Sequence, residues 1–293
     1  MAKKFSKPEL SRMINGDIVK KDTQVEEEKR RFDMVLLEKY PEYTRGTIQK
    51  FIKEGLASIN GEVITKANYA VSAEEEENVS MVIPEITAEK NRPPVLYEDD
   101  NVIVFDKPAG MLSIKKGAYL DETAVEDFGE IVHRLDRDTS GVIIVAKNAE
   151  TKSKLQKQFA ERKTHKCYYA LVVGHPKQPH AIINVPLARN LKKPTTFIAD
   201  KDGREAITEY KVIASNDRFS LVELKPRTGR THQLRIHMAH IGTPILGDPV
   251  YNPKSPKADR MYLHAYSLEI TIPEGKRVTF TSLLPESFRD AVK

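Results

Sequence analysis

The spacing of apolar positions changes along this chain, and each change marks a different kind of structure. Up to residue 28 no apolar period is present, and the stretch closes on the acidic run Glu26-Glu27-Glu28. Such a stretch cannot bury enough surface to offset its chain entropy, which predicts a flexible tail over residues 1–28. Two readings of it stand side by side: a solvated leader, or a basic arm touching RNA. Then Phe32, Val35 and Leu36 recur at i, i+3 and i+4, giving one apolar helix face. A second helix carries Ile48, Phe51, Ile52 and Leu56, with Thr44 as its N-cap and Gly55 near its end. Asn60-Gly61 follows between two short β-prone runs, a strong hairpin signal. The order within residues 29–88 is therefore helix, helix, hairpin.

Asn91-Arg92-Pro93-Pro94 is a stiff boundary, because proline lacks an amide and restricts the residue before it. Beyond it, over residues 89–293, short β-branched runs dominate. Strands are predicted over 102–105, 142–146, 168–173, 182–185, 206–212, 221–224 and 268–272. Helices are fewer. One spans 149–162, with Asn148 as cap and Leu155 and Phe159 facing inward. Another spans 232–241 and stops at Gly242. Many strands with few helices predict an α+β fold built on a mixed, largely antiparallel sheet.

Composition narrows the function classes. A length of 293 residues suggests two domains, and 40% hydrophobic content is enough to give them cores. The longest apolar run, 168–173, is far short of the ~20 residues that cross a bilayer, so membrane roles are excluded. The start MAKKFSKPEL has no apolar secretion core, which predicts a cytoplasmic protein. Cys167 is the single cysteine, so neither an internal disulfide framework nor a thiolate zinc site can form. The formal charge of +5 permits a polyanionic partner without requiring one. Arg31, Lys39, Arg45, Lys50 and Lys53 line the polar sides of the first two helices, as solvated faces or as an RNA surface.

Two segments concentrate reactive side chains. In the first, His133, Arg134, Asp136, Arg137, Asp138, Thr139 and Ser140 crowd a loop just before a core strand, a place where folds hold reactive groups on a rigid frame. Asp138 to Gly141 are turn formers, whereas Asp136 has no turn role. It is either a structural ion-pair partner or a reacting acid. In the second, Arg227-Thr228-Gly229-Arg230-Thr231 leads into a helix, which makes either a phosphate cradle or a solvated turn. On that helix Leu234, Met238 and Ile241 face the core, and Arg235 lies beside them at its edge. His232, His237, His240 and His264 invite a metal reading, but no Asp, Glu or Cys on that helix completes a ligand set, so no metal is expected. Neither a G-x-S-x-G elbow nor a glycine-rich phosphate loop is present, so no hydrolase triad and no cofactor are expected.

Residues 30–71, with RRFDMVLLEKY, TRGTIQKFIKEG and INGE, resemble the alpha-L RNA-binding module first seen in a small-subunit ribosomal protein. Met34, Val35 and the run Glu74-Glu75-Glu76-Glu77 depart from its usual pattern. The resemblance implies RNA binding through Arg45, Lys50 and Lys53. HRLDRDTSG resembles the signature of RluA/RluD-type pseudouridine synthases. VIVFDKPAGM, KCYYAL and LKPRTGRTHQLRIHMAHIGTPILGDPVY match further motifs of that family in the same order, over about residues 92–288. The resemblance implies an isomerase that turns RNA uridines into pseudouridine. Asp136 matches the catalytic aspartate, Arg235 its arginine partner, Tyr168 the aromatic that stacks on the flipped base, and Arg134 the residue that enters the RNA. Arg227 and Arg230 would add phosphate contacts. Large-subunit ribosomal RNA is the expected substrate. A tRNA-directed synthase and a non-catalytic ribosome-assembly factor are the alternatives. A cofactor-free monomer with no DNA or membrane partner is expected.

Overall fold

The computed structural model describes residues 29–41, 43, 45–82, 92–115 and 122–293. The expected tail, the Thr44 cap, Asn91 and the 88/89 boundary lie outside those residues. The described residues form two units, 29–82 and 92–293.

The first unit runs β1 (Arg30–Arg31), α1 (Phe32–Lys39), α2 (Arg45–Lys53), β2 (Ala57–Ile59), β3 (Glu62–Val63), β4 (Ala70–Val71), α3 (Ala73–Glu76) and β5 (Val79–Met81). The apolar faces of α1 and α2 meet through Phe32, Val35, Leu36, Ile48, Phe51 and Ile52, and β2, β4 and β5 close the core. The hairpin turn has positive φ at both Asn60 and Gly61 (52° and 83°), the geometry for which Asn-Gly is favoured. The acidic run folds as one helical turn, with Glu75 accepting the Ser72 amide.

Asp33 is wholly buried in this unit. It accepts hydrogen bonds from Arg31 Nε at 2.9 Å, Arg45 Nε at 3.0 Å and Gln49 Nε2 at 2.6 Å. Burial pushes its carboxyl up, but the bonds from Arg31, Gln49 and Arg45 outweigh burial and hold it at about 2. The Lys39 ammonium donates to the Val79 carbonyl, Lys50 lies 4.0 Å from Glu54, and Lys53 is exposed.

The second unit runs β6 (Val95–Glu98), β7 (Val102–Lys107), β8 (Glu130–Ile131), β9 (Ser140–Ala146), α4 (Ala149–Ala160), β10 (His165–Val173), β11 (His180–Asn184), β12 (Leu187–Arg189), β13 (Phe197–Ala199), β14 (Ile207–Ser215), β15 (Phe219–Pro226), α5 (Gln233–His240), β16 (Leu263–Thr271), β17 (Arg277–Thr281) and α6 (Glu286–Asp290). Ten strands form one sheet in the order β11-β14-β15-β10-β16-β9-β7-β6, with β17 beside β16 and β8 beside β9. Every pairing is antiparallel except β16 with β9. This is the α+β architecture that the pattern predicted. All seven predicted strands are present, each one to four residues longer. Strand β16 starts at Leu263, earlier than expected, because the polar His264 and Ser267 mask its apolar alternation. Helix α4 ends at Ala160, and Asn148 Oδ1 accepts the Thr151 amide as its cap. Gly242, at φ 84°, closes α5.

Helices α4 and α5 cover the same sheet face. Leu155 of α4 packs on Val142, Ile144, Leu268 and Ile270, while Leu234 and Met238 of α5 pack on Ala170, Val222 and Leu224. The opposite face is covered in part by α6, through Phe288 against Leu171 and Leu221. Where β9 meets β16 the backbones come very close. A Cβ on Gly141 (φ 109°) would lie 2.2 Å from the Ala265 carbonyl oxygen, so only glycine fits.

Lys107, at the end of β7, is fully buried, and its ammonium donates to the carbonyls of Pro108, Met111 and Arg137 at 3.0, 2.7 and 2.9 Å. Burial pushes it down to about 7, against the opposing charges of Asp138 and Asp136. Ser113 Oγ donates to the Leu135 carbonyl and accepts its amide. The loop 133–139 is thus tied to the 108–113 segment on both sides of Asp136.

Two outcomes are expected from these contacts. Replacing Lys107 with Met takes the donor from the Pro108 and Met111 carbonyls, leaves Arg137 with the Gly110 amide alone, and should lower the unfolding free energy by about 1–3 kcal/mol; an unchanged urea midpoint would refute the clamp. Asp33→Asn should weaken the first unit by about 2 kcal/mol at pH 7. The native pKa is depressed, so this stability is complete above the unfolded value near 3.8 and fades as pH falls towards 2. Amide exchange over residues 32–52 of the full chain, compared between variant and wild type across that range, measures it.

Candidate active site

Between the end of α4 and the start of α5 a cleft of about 480 Å³ opens over the middle of the sheet. Lys166 and Tyr168 of β10 contribute to its lining, together with residues 132–136 and Thr139 from the loop before β9. Phe159, Arg162, residues 226–230 and His232 line more of it, and α5 adds Gln233, Leu234 and Arg235.

Asp136 and Arg235, 99 positions apart, meet here, with Arg235 Nη1 donating to Asp136 Oδ2 at 3.2 Å. The same guanidinium grips Asp248, Nε and Nη2 each donating at 2.8 Å. The Arg235 and Asp248 side chains are 5% and 1% exposed, so these charges are held almost without water. Asp248 also accepts the amides of Val250 and Tyr251. Burial alone would push its carboxyl up, yet Arg235 and the two amides hold it below the usual carboxylate range. Burial opposes the charge on Arg235 as well, but the two carboxylates outweigh it and raise its pKa. The Tyr251 ring lies 5.1 Å from the guanidinium carbon, within cation–π range. Arg235 is thus held by Asp248 and Tyr251, and it presents Nη1 to Asp136. No described residue donates to Asp136 Oδ1, which leaves that oxygen for a ligand.

Tyr168 is half-buried, and its phenol is raised above its ordinary range by burial first and the Asp136 charge second. His133 stacks on Phe159 at 4.6 Å and accepts the Ile144 amide on Nε2; burial, then the Lys166 charge, pushes it down to about 3. Arg134 is exposed at the rim. Arg227 pairs with Glu209 at 3.3 Å, and Arg230 Nε donates to the Glu205 carbonyl at 3.0 Å. The Arg230 amide is taken by Gln233 Oε1 at 3.0 Å, so the turn before α5 offers fewer open amides than a phosphate cradle would. Arg45, Lys50 and Lys53 belong to the first unit and line no part of this cleft.

The histidines are placed by packing rather than by any ligand set. His237 bonds Thr208 Oγ1 and the Val185 carbonyl inside the core, and His264 bonds Ser140 and Ser282. Among the described residues no cluster of three or more His, Cys, Asp or Glu could hold a metal ion. The sequence reading gave no role at this site to Asp248, Tyr251 or Lys166, and weighed His232 only as a metal ligand. For Asp248 a signal was available: an arginine on a core-facing helix requires a carboxylate close by.

Two family models match the chain, RNA pseudouridylate synthase over residues 101–240 and the S4 domain over residues 30–77. An RNA pseudouridine synthase of Aquifex aeolicus is 35% identical, across 91% of this chain and 94% of that protein. The ribosomal large subunit pseudouridine synthase D of Borreliella burgdorferi is also 35% identical, across 92% of this chain and 91% of its own length. Among solved structures, human RNA pseudouridylate synthase domain containing 1 superposes with a TM-score of 0.58 at 27% identity, covering 66% of this chain and 83% of that one. The ordered motifs, the mixed sheet and the cleft at its centre agree with these likenesses, and the chain belongs to the RNA pseudouridylate synthase family, with an S4 domain ahead of the synthase part.

Proposed function

We propose that this synthase isomerises uridines of large-subunit ribosomal RNA, in the cytoplasm where ribosomes are assembled, with Asp136 as the reacting group. One observation carries the chemical part: Asp136 is anchored through Oδ2 by Arg235, its Oδ1 takes no hydrogen bond from a described residue, and it lines a cleft that Tyr168 also lines. Isomerisation breaks the N1–C1′ bond, turns the uracil and joins C5 to C1′; C5 loses its proton to solvent and N1 takes one up. A carboxylate oxygen beside the sugar can attack carbon or take a proton, and a fixed Oδ2 keeps Oδ1 in place for either step. The uridine must leave its stack, at a cost of a few kcal/mol. Stacking on Tyr168 recovers about 1–3 kcal/mol of that. Arg134, Arg227 and Arg230 at the cleft engage the RNA strand, and Arg45, Lys50 and Lys53 of the S4 domain give a second hold on it. The choice of large-subunit RNA rests on the relatives of that name that match across nearly their whole length, in Borreliella burgdorferi and in Xanthomonas campestris at 34% identity.

Asp136→Asn is nearly isosteric but cannot act as nucleophile or base. It should reduce tritium release from RNA labelled at uridine C5 by about a thousandfold or more, with RNA affinity held within a few-fold. Substantial residual turnover would remove Asp136 from this role. The Lys50→Ala, Lys53→Ala double variant should flatten the slope of log affinity against log salt by about 1.5; an unaltered slope would show that these lysines do not meet phosphate. Pseudouridine mapping in cells with and without the protein tests the substrate: a site lost from tRNA, with ribosomal RNA unchanged, would overturn the ribosomal assignment.

A further inference from the structure

His232 precedes α5 with its backbone in the left-handed region, at φ 56° and ψ 18°, an unfavourable place for a residue with a Cβ. The ring is hydrogen-bonded at one nitrogen, and the other lies near Asp136. Nδ1 lies 2.8 Å from the Tyr251 hydroxyl, and Nε2 lies 3.9 Å from Asp136 Oδ2. The Tyr251 hydroxyl already accepts the Phe197 amide at 3.1 Å. Its own proton has one acceptor among the described residues, His232 Nδ1. A hydroxyl that donates to Nδ1 leaves the neutral imidazole with its proton on Nε2, directed at Asp136.

We propose that His232 is a positioning residue for Asp136, held as the Nε2–H tautomer by Tyr251, and that it closes onto Oδ2 when a base fills the cleft. This rests on the reading of Asp136 as the reacting group and extends it. Arg235 and His232 then address the same oxygen from two directions. The carboxylate cannot rotate, and Oδ1 stays turned towards the nucleoside. The groups facing His232 are Asp136, Asp248, Arg134, Arg235, Tyr251 and the Phe197 ring, 6.2 Å away. Burial is the largest influence on the imidazole and favours its neutral form, with Arg235 and Arg134 acting in the same sense against the two carboxylates.

The tautomer can be read without any turnover, from long-range nitrogen–proton NMR of the histidines in the full chain. The expected result at neutral pH is the Nε2–H form of His232 in wild type and a mixture of tautomers in Tyr251→Phe. Finding the Nδ1–H form in wild type overturns the proposal. In kinetics, Tyr251→Phe should lower kcat about tenfold with KM within about twofold, the scale of one lost hydrogen bond. His232→Gln, which places an amide N–H near the Nε2 position, should retain several-fold more kcat than His232→Asn, whose amide reaches only the Nδ1 position. Equal kcat in those two variants, or a loss carried by KM instead, would refute the positioning role. Asp136→Asn in the same assay separates the two levels. If it is inactive while the His232 and Tyr251 results fail, only this proposal falls; if it is active, the reading of Asp136 falls first.

Discussion

The site depends on a guanidinium placed where water hardly reaches. Arg235 sits on the core-facing side of α5, and a charge in that position is tolerable only when fully paired. Asp248 meets the need with two short hydrogen bonds and is itself held by the amides of Val250 and Tyr251. Removing Asp248 would leave Arg235 with Asp136 as its one carboxylate partner, and breaking such a buried pair costs about 3–5 kcal/mol. With Nε and Nη2 committed, Nη1 remains for Asp136, and its direction is set by groups that take no part in binding a base. The cleft follows from this arrangement. Asp136 reaches it on a loop that Lys107 and Ser113 clamp to the 108–113 segment, and the close approach at Gly141 fixes where that loop enters the sheet.

The S4 domain uses the same physics with the charges exchanged. There a buried carboxylate, Asp33, gathers Arg31, Arg45 and Gln49 around itself. The two arginines are about half exposed, so each keeps part of its guanidinium for solvent or a partner while its near edge is anchored. Anchoring lowers the entropy that a long side chain loses on meeting RNA. It also means that Arg45 contributes to the fold as well as to any RNA contact, whereas Lys53 has an exposed side chain on the same helix. A charge reversal at Arg45 would therefore report on stability and binding together.

Local periodicity was enough for the elements. The i, i+3, i+4 spacing of Phe32, Val35 and Leu36, the Asn60-Gly61 turn, the Asn148 cap and the Gly242 stop all act within a few residues, where backbone geometry and side-chain spacing decide the outcome. Strand β16 was harder to read because His264 and Ser267 interrupt its apolar pattern, and the burial of His264 is justified by Ser140, 124 positions away. Asp136 stood out as an acid with no evident turn role, although its backbone carbonyl accepts the Thr139 amide and so opens a turn, and the ordered motifs marked Tyr168 and Arg235 as its companions. What the pattern could not carry was the pairing itself. Asp136 with Arg235, Arg235 with Asp248 and Tyr251 with His232 are contacts across 99, 13 and 19 positions. None is implied by helix or strand periodicity. The sequence by itself determined the elements and the family, because these rest on local propensity and on motif order. Only the tertiary structure decided which oxygen of Asp136 is held and which is free, because that depends on where a ten-stranded sheet brings distant side chains to within about 3 Å of each other.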